Sequence, residues 1–354
     1  MLACARMMQK WRPPQVGATS RRFVLGVLLV AVSALLAACG GLSSSNSITL
    51  YNGQHEQTTL ALVGKFEKLT GIHVNVRSND ERALAAQIGA EGSGSPADVI
   101  YAENSPALEY LQHKGLLAPV TPSTLTHAPS RYSSPQRDWV GVSARVSVLV
   151  YNTQRLKPSQ LPTTVLQLAS PQWKGKFALS VGETDFQPIV TSVARTYGDG
   201  AALRWLDGLK ANARLYPDNE TVTDQVNRGQ AGISIIDQYY WYRQRAQVGA
   251  SNMHSAIAYF APRDPGYVID VSGAAVLKSS AHQTAAQKLL AFLVSAQGQQ
   301  IISHSDSFEY PIASGVKSAQ PETPLARLQP DPIAVAALGD GSTALALLQK
   351  AQLL

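Results

Sequence analysis

Two adjacent tyrosines, Tyr239 and Tyr240, are the residues of this sequence best suited to a shared chemical task. They follow Ile233-Ser234-Ile235-Ile236-Asp237-Gln238 and precede the helix-compatible Arg243-Gln244-Arg245-Ala246. The pattern predicts a buried strand whose C-terminal end releases polar aromatic groups into the loop that starts a helix. Neighbours on a strand face opposite ways, so two adjacent phenols converge only where strand geometry stops. Such a junction either lines a ligand crevice, as strand C-termini of open α/β sheets do, or is an aromatic cluster with its hydroxyls at the surface.

The elements before it supply two further groups. Residues 48–52 read as a first strand, with Gly53-Gln54-His55 as the loop at its C-terminal end. Leu62, Val63, Phe66 and Leu69 form a helical stripe that Gly71 stops. Ile72, Val74 and Val76 alternate as a strand, Leu84 and Ile88 mark a second helix, and residues 98–102 form a third strand. Glu103 stands at the end of that strand, and Asn104-Ser105-Pro106 opens the next helix. The order βαβαβα predicts a parallel sheet with right-handed crossovers. His55 and Glu103 therefore fall at the same sheet edge.

Residues 119–135, rich in proline, serine and threonine, read as a surface connection. A second βα region follows, with strands at 146–151 and 176–182, a helix start at Glu183-Thr184-Asp185-Phe186, and helices at 201–206 and 221–228. A strand at 271–277 and a helix carrying Leu289, Leu290, Phe292 and Leu293 come last. The expectation is an α/β protein of two lobes. Residues 48–145 and 271–320 would form the first, and 146–270 with 321–354 the second. His55 and Glu103 would then face Tyr239 and Tyr240 across one cleft.

One imidazole, one carboxylate and two phenols make a poor zinc set, since structural zinc favours thiolates and imidazoles. Calcium and magnesium want several carboxylates and carbonyls. Phenolate oxygen suits a hard, strongly acidic cation, of which ferric iron is the usual biological one. A glutamate and two phenolates would balance its charge.

On particular residues the chain resembles the ferric-ion-binding proteins of ABC iron importers, within the periplasmic-binding-protein superfamily. The matching stretches are Tyr51-Asn52-Gly53-Gln54-His55, Ser95-Pro96-Ala97-Asp98-Val99 with Tyr101-Ala102-Glu103, Tyr239-Tyr240-Trp241, residues 272–280, and Glu309-Tyr310-Pro311. The resemblance implies a two-lobed fold with the ligand cleft between lobes. It implies His55, Glu103, Tyr239 and Tyr240 as protein ligands of one Fe(3+), and a membrane permease as partner. It also implies a small synergistic anion. The loop that holds phosphate in relatives is Glu183-Thr184-Asp185 here, and its two acids depart from the small residues of the pattern. Asn104, Arg145, Asn219 and Asp237 align with other positions around the anion. Arg145 would hold a small anion or pair with a nearby acid.

The ends and the composition complete the picture. The net charge of +6 is concentrated at the N-terminus, where residues 1–38 hold five basic residues and no acid. Setting those aside leaves 25 basic residues against 24 acidic, so no affinity for nucleic acid is implied. Arg21-Arg22, an apolar run and Leu36-Ala37-Ala38-Cys39 resemble a lipoprotein signal peptide at 1–38, with Cys39 lipidated and residues 39–47 a flexible tether. The expected protein is an exported, membrane-anchored bacterial lipoprotein on the extracytoplasmic side, and a monomer. The two cysteines, Cys4 and Cys39, leave the folded part without a thiol. The other histidines are scattered and expected to be solvated. With no Gly-x-Ser-x-Gly elbow and no His-Glu-x-x-His, the sequence does not read as an enzyme. The rival function is a related lobe pair that takes an organic cation such as a polyamine or thiamine, its aromatics stacked on the ligand.

Overall fold

The structure, a computed structural model, describes residues 46–354. The expected signal segment, Cys39 and the tether up to residue 45 lie outside the described residues; the first strand begins at Ser47, inside the expected tether.

The N-terminal βαβαβα run forms as its periodicity requires. Strand β1 (Ser47–Gly53) leads to helix α1 (Glu56–Thr70), which buries Leu62, Val63 and Phe66 and stops at Gly71 with φ 68°. Glycine reaches that left-handed conformation without a Cβ penalty. Strand β2 (His73–Ser78) and helix α2 (Glu81–Glu91) follow, the Asp80 carboxylate accepting from Ala83 N at the helix start. Strand β3 (Val99–Ala102) is wholly buried, and helix α3 (Ser105–His113) begins beside Pro106. β1 pairs in parallel with β2 and β3.

After a short helix α4 (Pro122–Leu125), strand β4 (Val140–Asn152) runs through the molecule with every residue buried. Its first half pairs with β9 (Ile269–Val276) and with β10 (Tyr310–Pro311), its second half with β7 (Ile233–Asp237) and β8 (Ser255–Ala258). β5 (Phe177–Leu179) joins β6 (Ala213–Leu215) and β7 in parallel. The strand order is β2-β1-β3-β9-β4-β7-β5-β6.

The sheet is therefore mixed, not parallel throughout: β3–β9, β9–β4 and β4–β7 are antiparallel. The local βα alternation gives β9 as a strand, read at 271–277, but not its insertion between β3 and β4. Helices α5 (Phe186–Tyr197), α6 (Asp199–Asn212), α7 (Asn219–Asn227) and α8 (Gln238–Val248) cover the β4–β7–β5–β6 part. Helices α9 (Gln283–Leu293) and α10 (Ala296–Ser303) return to α1, and α11 (Ser342–Lys350) packs on α5 and α6. Two expected boundaries shift. β5 stops at Leu179, so Ser180-Val181-Gly182 lie beyond the strand, and α8 starts at Gln238, placing both tyrosines in a helical first turn and not a loop.

Candidate metal centre

The site is built at the C-terminal ends of β1, β3, β5 and β7. Just past them stand His55, Glu103, the Glu183–Asp185 loop, and Tyr239 with Tyr240. Four of the helices that begin there have His55, Asn104, Asp185 and Asp237 at their N-cap positions, and none of these side chains caps its own helix. Each turns toward the site instead.

The four expected donors meet. Tyr239 Oη donates to Glu103 Oε1 at 3.1 Å, and His55 Nε2 lies 3.6 Å from that same oxygen. The His55 ring meets the Tyr239 ring edge-on at 5.3 Å, and the two phenol rings lie 4.0 Å apart. Tyr240 Oη donates to Asp185 Oδ2 at 2.7 Å; Tyr239 Oη is 3.5 Å from it. A small cavity of about 200 Å³ opens on this side, lined by Glu103, Asn104, Glu183, Thr184, Asp185 and Tyr240 among others. Asn219 donates its backbone N–H to Glu183 at 2.8 Å and turns its amide to Asp185 at 3.4 Å.

Burial and crowding of like charges set the protonation. Burial drives the His55 imidazole down to about 4, so it is neutral at physiological pH, with Arg243 Nη2 3.2 Å from its Nε2. Burial, then Asp185 and Glu103, hold both phenols well above their usual value. Burial likewise raises Glu103 well above the carboxylate range, against the pull of Arg145, and lifts Glu183 to about 8.

Arg145 is the cation of the cluster. Fully buried, it places Nη1 2.9 Å from Glu309 and Nε 3.0 Å from Asp237, and it donates from Nη2 to the Glu103 carbonyl and the Asn104 side chain. Asp270 and Asp185 lie 3.7 and 3.8 Å away. Glu309, which pattern reasoning did not select as a site residue, brings its carboxylate within 4.8 Å of the His55 and Glu103 ligand atoms. It also accepts from Ser143, Ser272 and Gln54, so its oxygens are occupied. Its only sequence signal was the stretch Glu309-Tyr310-Pro311. Glu81, lifted by burial to about 8 and bonded twice to Asn104, gave none. Of the remaining histidines, His73 Nδ1 lies 2.7 Å from Glu67, His282 Nδ1 3.2 Å from Asp98 and His113 Nδ1 3.6 Å from Asp340, contacts beyond simple solvation.

A family model described as bacterial extracellular solute-binding protein matches residues 94–331. The chain belongs to that family. It is 37% identical to the Fe(3+)-binding periplasmic protein of Serratia marcescens over 85% of this chain and 90% of that one. It is 36% identical to the major ferric iron-binding protein of Neisseria meningitidis serogroup A, over 94% and 98%. Among solved structures, the crystal structure of iron-bound HitA from Pseudomonas aeruginosa matches with a TM-score of 0.82 and 39% identity, covering 86% of this chain and 99% of that one. The two-lobed solute-binding architecture expected from the sequence is the one found.

Proposed function

We propose that this chain is the extracytoplasmic ferric-iron-binding component of an ABC importer, holding one Fe(3+) between two lobes and delivering it to a membrane permease. The observation that carries this reading is the meeting of His55, Glu103, Tyr239 and Tyr240 from three separate strand ends around one point. A neutral imidazole, one carboxylate and two phenols give hard oxygen donors and, once deprotonated, three negative charges for the three positive ones of ferric iron. The cargo is a metal and not an organic cation, since the two phenol rings lie 4.0 Å apart, tilted by 30°, and leave no slot between them.

In this reading the first lobe comprises residues 48–145 and 271–320 and the second 146–270 and 321–354, with the change of partners along β4 as support. Asp185, in hydrogen-bond contact with Tyr240, takes the place that a synergistic anion would fill; the Asn104 and Asn219 amides orient it, Glu183 and Thr184 share its loop, and Arg145 and Asp237 form the supporting ion pair. Among the described residues no helix is long and apolar enough to cross a membrane. Acylation of Cys39 is the anchor we propose, to be checked by lipid labelling of wild type and Cys39→Ala.

The decisive experiment is a spectrum. Ferric loading should colour the protein through phenolate-to-iron charge transfer, and changing both Tyr239 and Tyr240 to Phe should abolish the colour and most of the binding. A colourless ferric complex would refute the assignment.

A further inference from the structure

Away from the metal centre, a cavity of about 420 Å³ lies between the short turn Ser130–Tyr132, the loop from β8 to β9, and the chain at 328–335. Its size is that of a small-molecule site, for which about 300–1,000 Å³ is usual. Ile269, Leu328, Pro330, Pro332, Ile333 and Val335 make most of its wall apolar. Backbone bonds fix that wall: Arg263 N donates to Gln329 O at 2.9 Å, and Asp331 N to Tyr267 O at 2.8 Å. Asp270 turns toward Arg145, 3.7 Å away, so Ile269 beside it on β9 points to the opposite face of the sheet. The cavity therefore backs onto the strand that joins the two parts of the sheet, on the face away from Arg145.

Two exposed arginines stand at its rim, and among the described residues no carboxylate pairs with either. Arg131 lies over the Tyr132 ring at 4.5 Å and donates to its hydroxyl. The Arg263 guanidinium has no partner among the described residues. The one acid of the lining is already engaged: Asp331 Oδ1 accepts from Ile333 N at 2.7 Å, and Oδ2 from Ser192 Oγ at 3.1 Å. Arg263 is also held in an unfavourable backbone conformation. Ala261-Pro262-Arg263-Asp264 closes as a turn, Asp264 N donating to Ala261 O at 3.1 Å, with Arg263 at φ 66°. Proline in second place and a positive φ in third are the marks of a type II turn, whose third place favours glycine. The turn gives no reason for an arginine there, so the side chain earns its place by what it binds.

We infer that this cavity binds a small apolar monocarboxylate, a ligand separate from the metal cargo, with its body against the proline-lined wall and its head between Arg131 and Arg263. Planar guanidinium forks match a carboxylate two oxygens at a time. A single negative charge suits the site better than a phosphate dianion, because Asp331 stands in the same lining and repels the second charge. The apolar body leaves water for a wall that is already formed, which supplies the rest of the affinity.

The test is a calorimetric titration of the purified protein with 2-naphthoate as the probe and the uncharged 2-naphthamide as its control. We expect one naphthoate site per chain, with the amide binding about tenfold more weakly or not at all. Arg131→Gln and Arg263→Gly should each weaken naphthoate about tenfold, since each removes a hydrogen bond to a charged group. Arg263→Gly is also its own control for folding: glycine takes φ 66° freely, so the urea midpoint should hold or rise while binding falls. Arg263→Lys should restore part of the binding. No naphthoate binding, equal binding of acid and amide, or an affinity unmoved by both arginine substitutions overturns the inference. Neither substitution touches the four metal donors, so this inference and the ferric reading fail separately.

Discussion

Tyr239 and Tyr240 must lose their protons to bind a metal, and their surroundings make that hard. Burial and the acids around them raise both phenols above a value that is already about 10 in water. Metal ligation therefore expels protons, and iron affinity should fall as pH falls, by about tenfold per unit for each proton released. His55 does not add to this slope near neutrality: held down at about 4, it is already deprotonated and becomes a competitor for protons only in strongly acidic solution. A competition titration against a calibrated chelator between pH 5.5 and 8 checks the slope; a flat profile would exclude phenolate ligation. Asp185 answers a second question. On the proposed reading its carboxylate, 2.7 Å from the Tyr240 hydroxyl, replaces an added anion, and like charges about 4 Å apart repel by roughly 4 kcal/mol at an effective dielectric near 20. Phosphate should leave the iron affinity of the wild type unchanged and raise that of Asp185→Ala. The tyrosine pair, the histidine and Glu103 were all legible in the sequence because each directly follows a recognisable strand. Glu309 was not, because it precedes a two-residue strand that has no periodicity to announce it.

Helix starts are the elements that concentrate the site. At α1, α3, α5 and α8 the N-cap side chain leaves its own helix uncapped, a sacrifice of typically about 1 kcal/mol each. In return, four helix N-termini present partial positive charge to a crowd of carboxylates and phenols, which favours their ionised forms. By contrast, Asp218 caps α7 in the usual way, accepting from Thr221 N at 2.6 Å, and its side chain plays no part in the site. The first loop depends on close packing as well. A Cβ on Gly53 would stand 2.5 Å from Glu81 Cβ and 2.8 Å from its Cα, so Gly53→Ala must push the end of β1 away from α2. The expected cost is about 1–3 kcal/mol in urea unfolding, with weaker iron binding because His55 moves too. Strand and helix order along residues 47–113 could be read from periodicity, since β1 pairs in parallel with both β2 and β3 within that stretch. The antiparallel centre could not, because the strand read at 271–277 reveals nothing locally of partners that lie far back in the chain, Val276 pairing with Val99 and Ala274 with Val140.

At the scale of the whole molecule, β4 and β9 carry the connection between the two parts of the sheet, and Arg145 lies opposite Asp270 where they cross. Arg145→Met would leave Asp237, Asp270 and Glu309 buried without their cation. Breaking such a pair costs about 3–5 kcal/mol, to be read as a lowered urea midpoint of the metal-free protein. Arg145→Lys should recover part of the loss, since a single ammonium cannot reach all of these acids at once. The placement of β9 also has a consequence in time. Glu103 and Tyr239 stand 136 positions apart, and both have been synthesised before Ile269, yet β3 and β4 are joined in the sheet only through β9. The chain therefore carries all four proposed donors for some while with no frame to hold them. Closing that frame requires contacts between distant parts of the chain, which form slowly. Assembly of the centre thus waits on a late-made strand that contributes no donor of its own, and an unfinished chain has the chemistry for iron without the geometry to keep it.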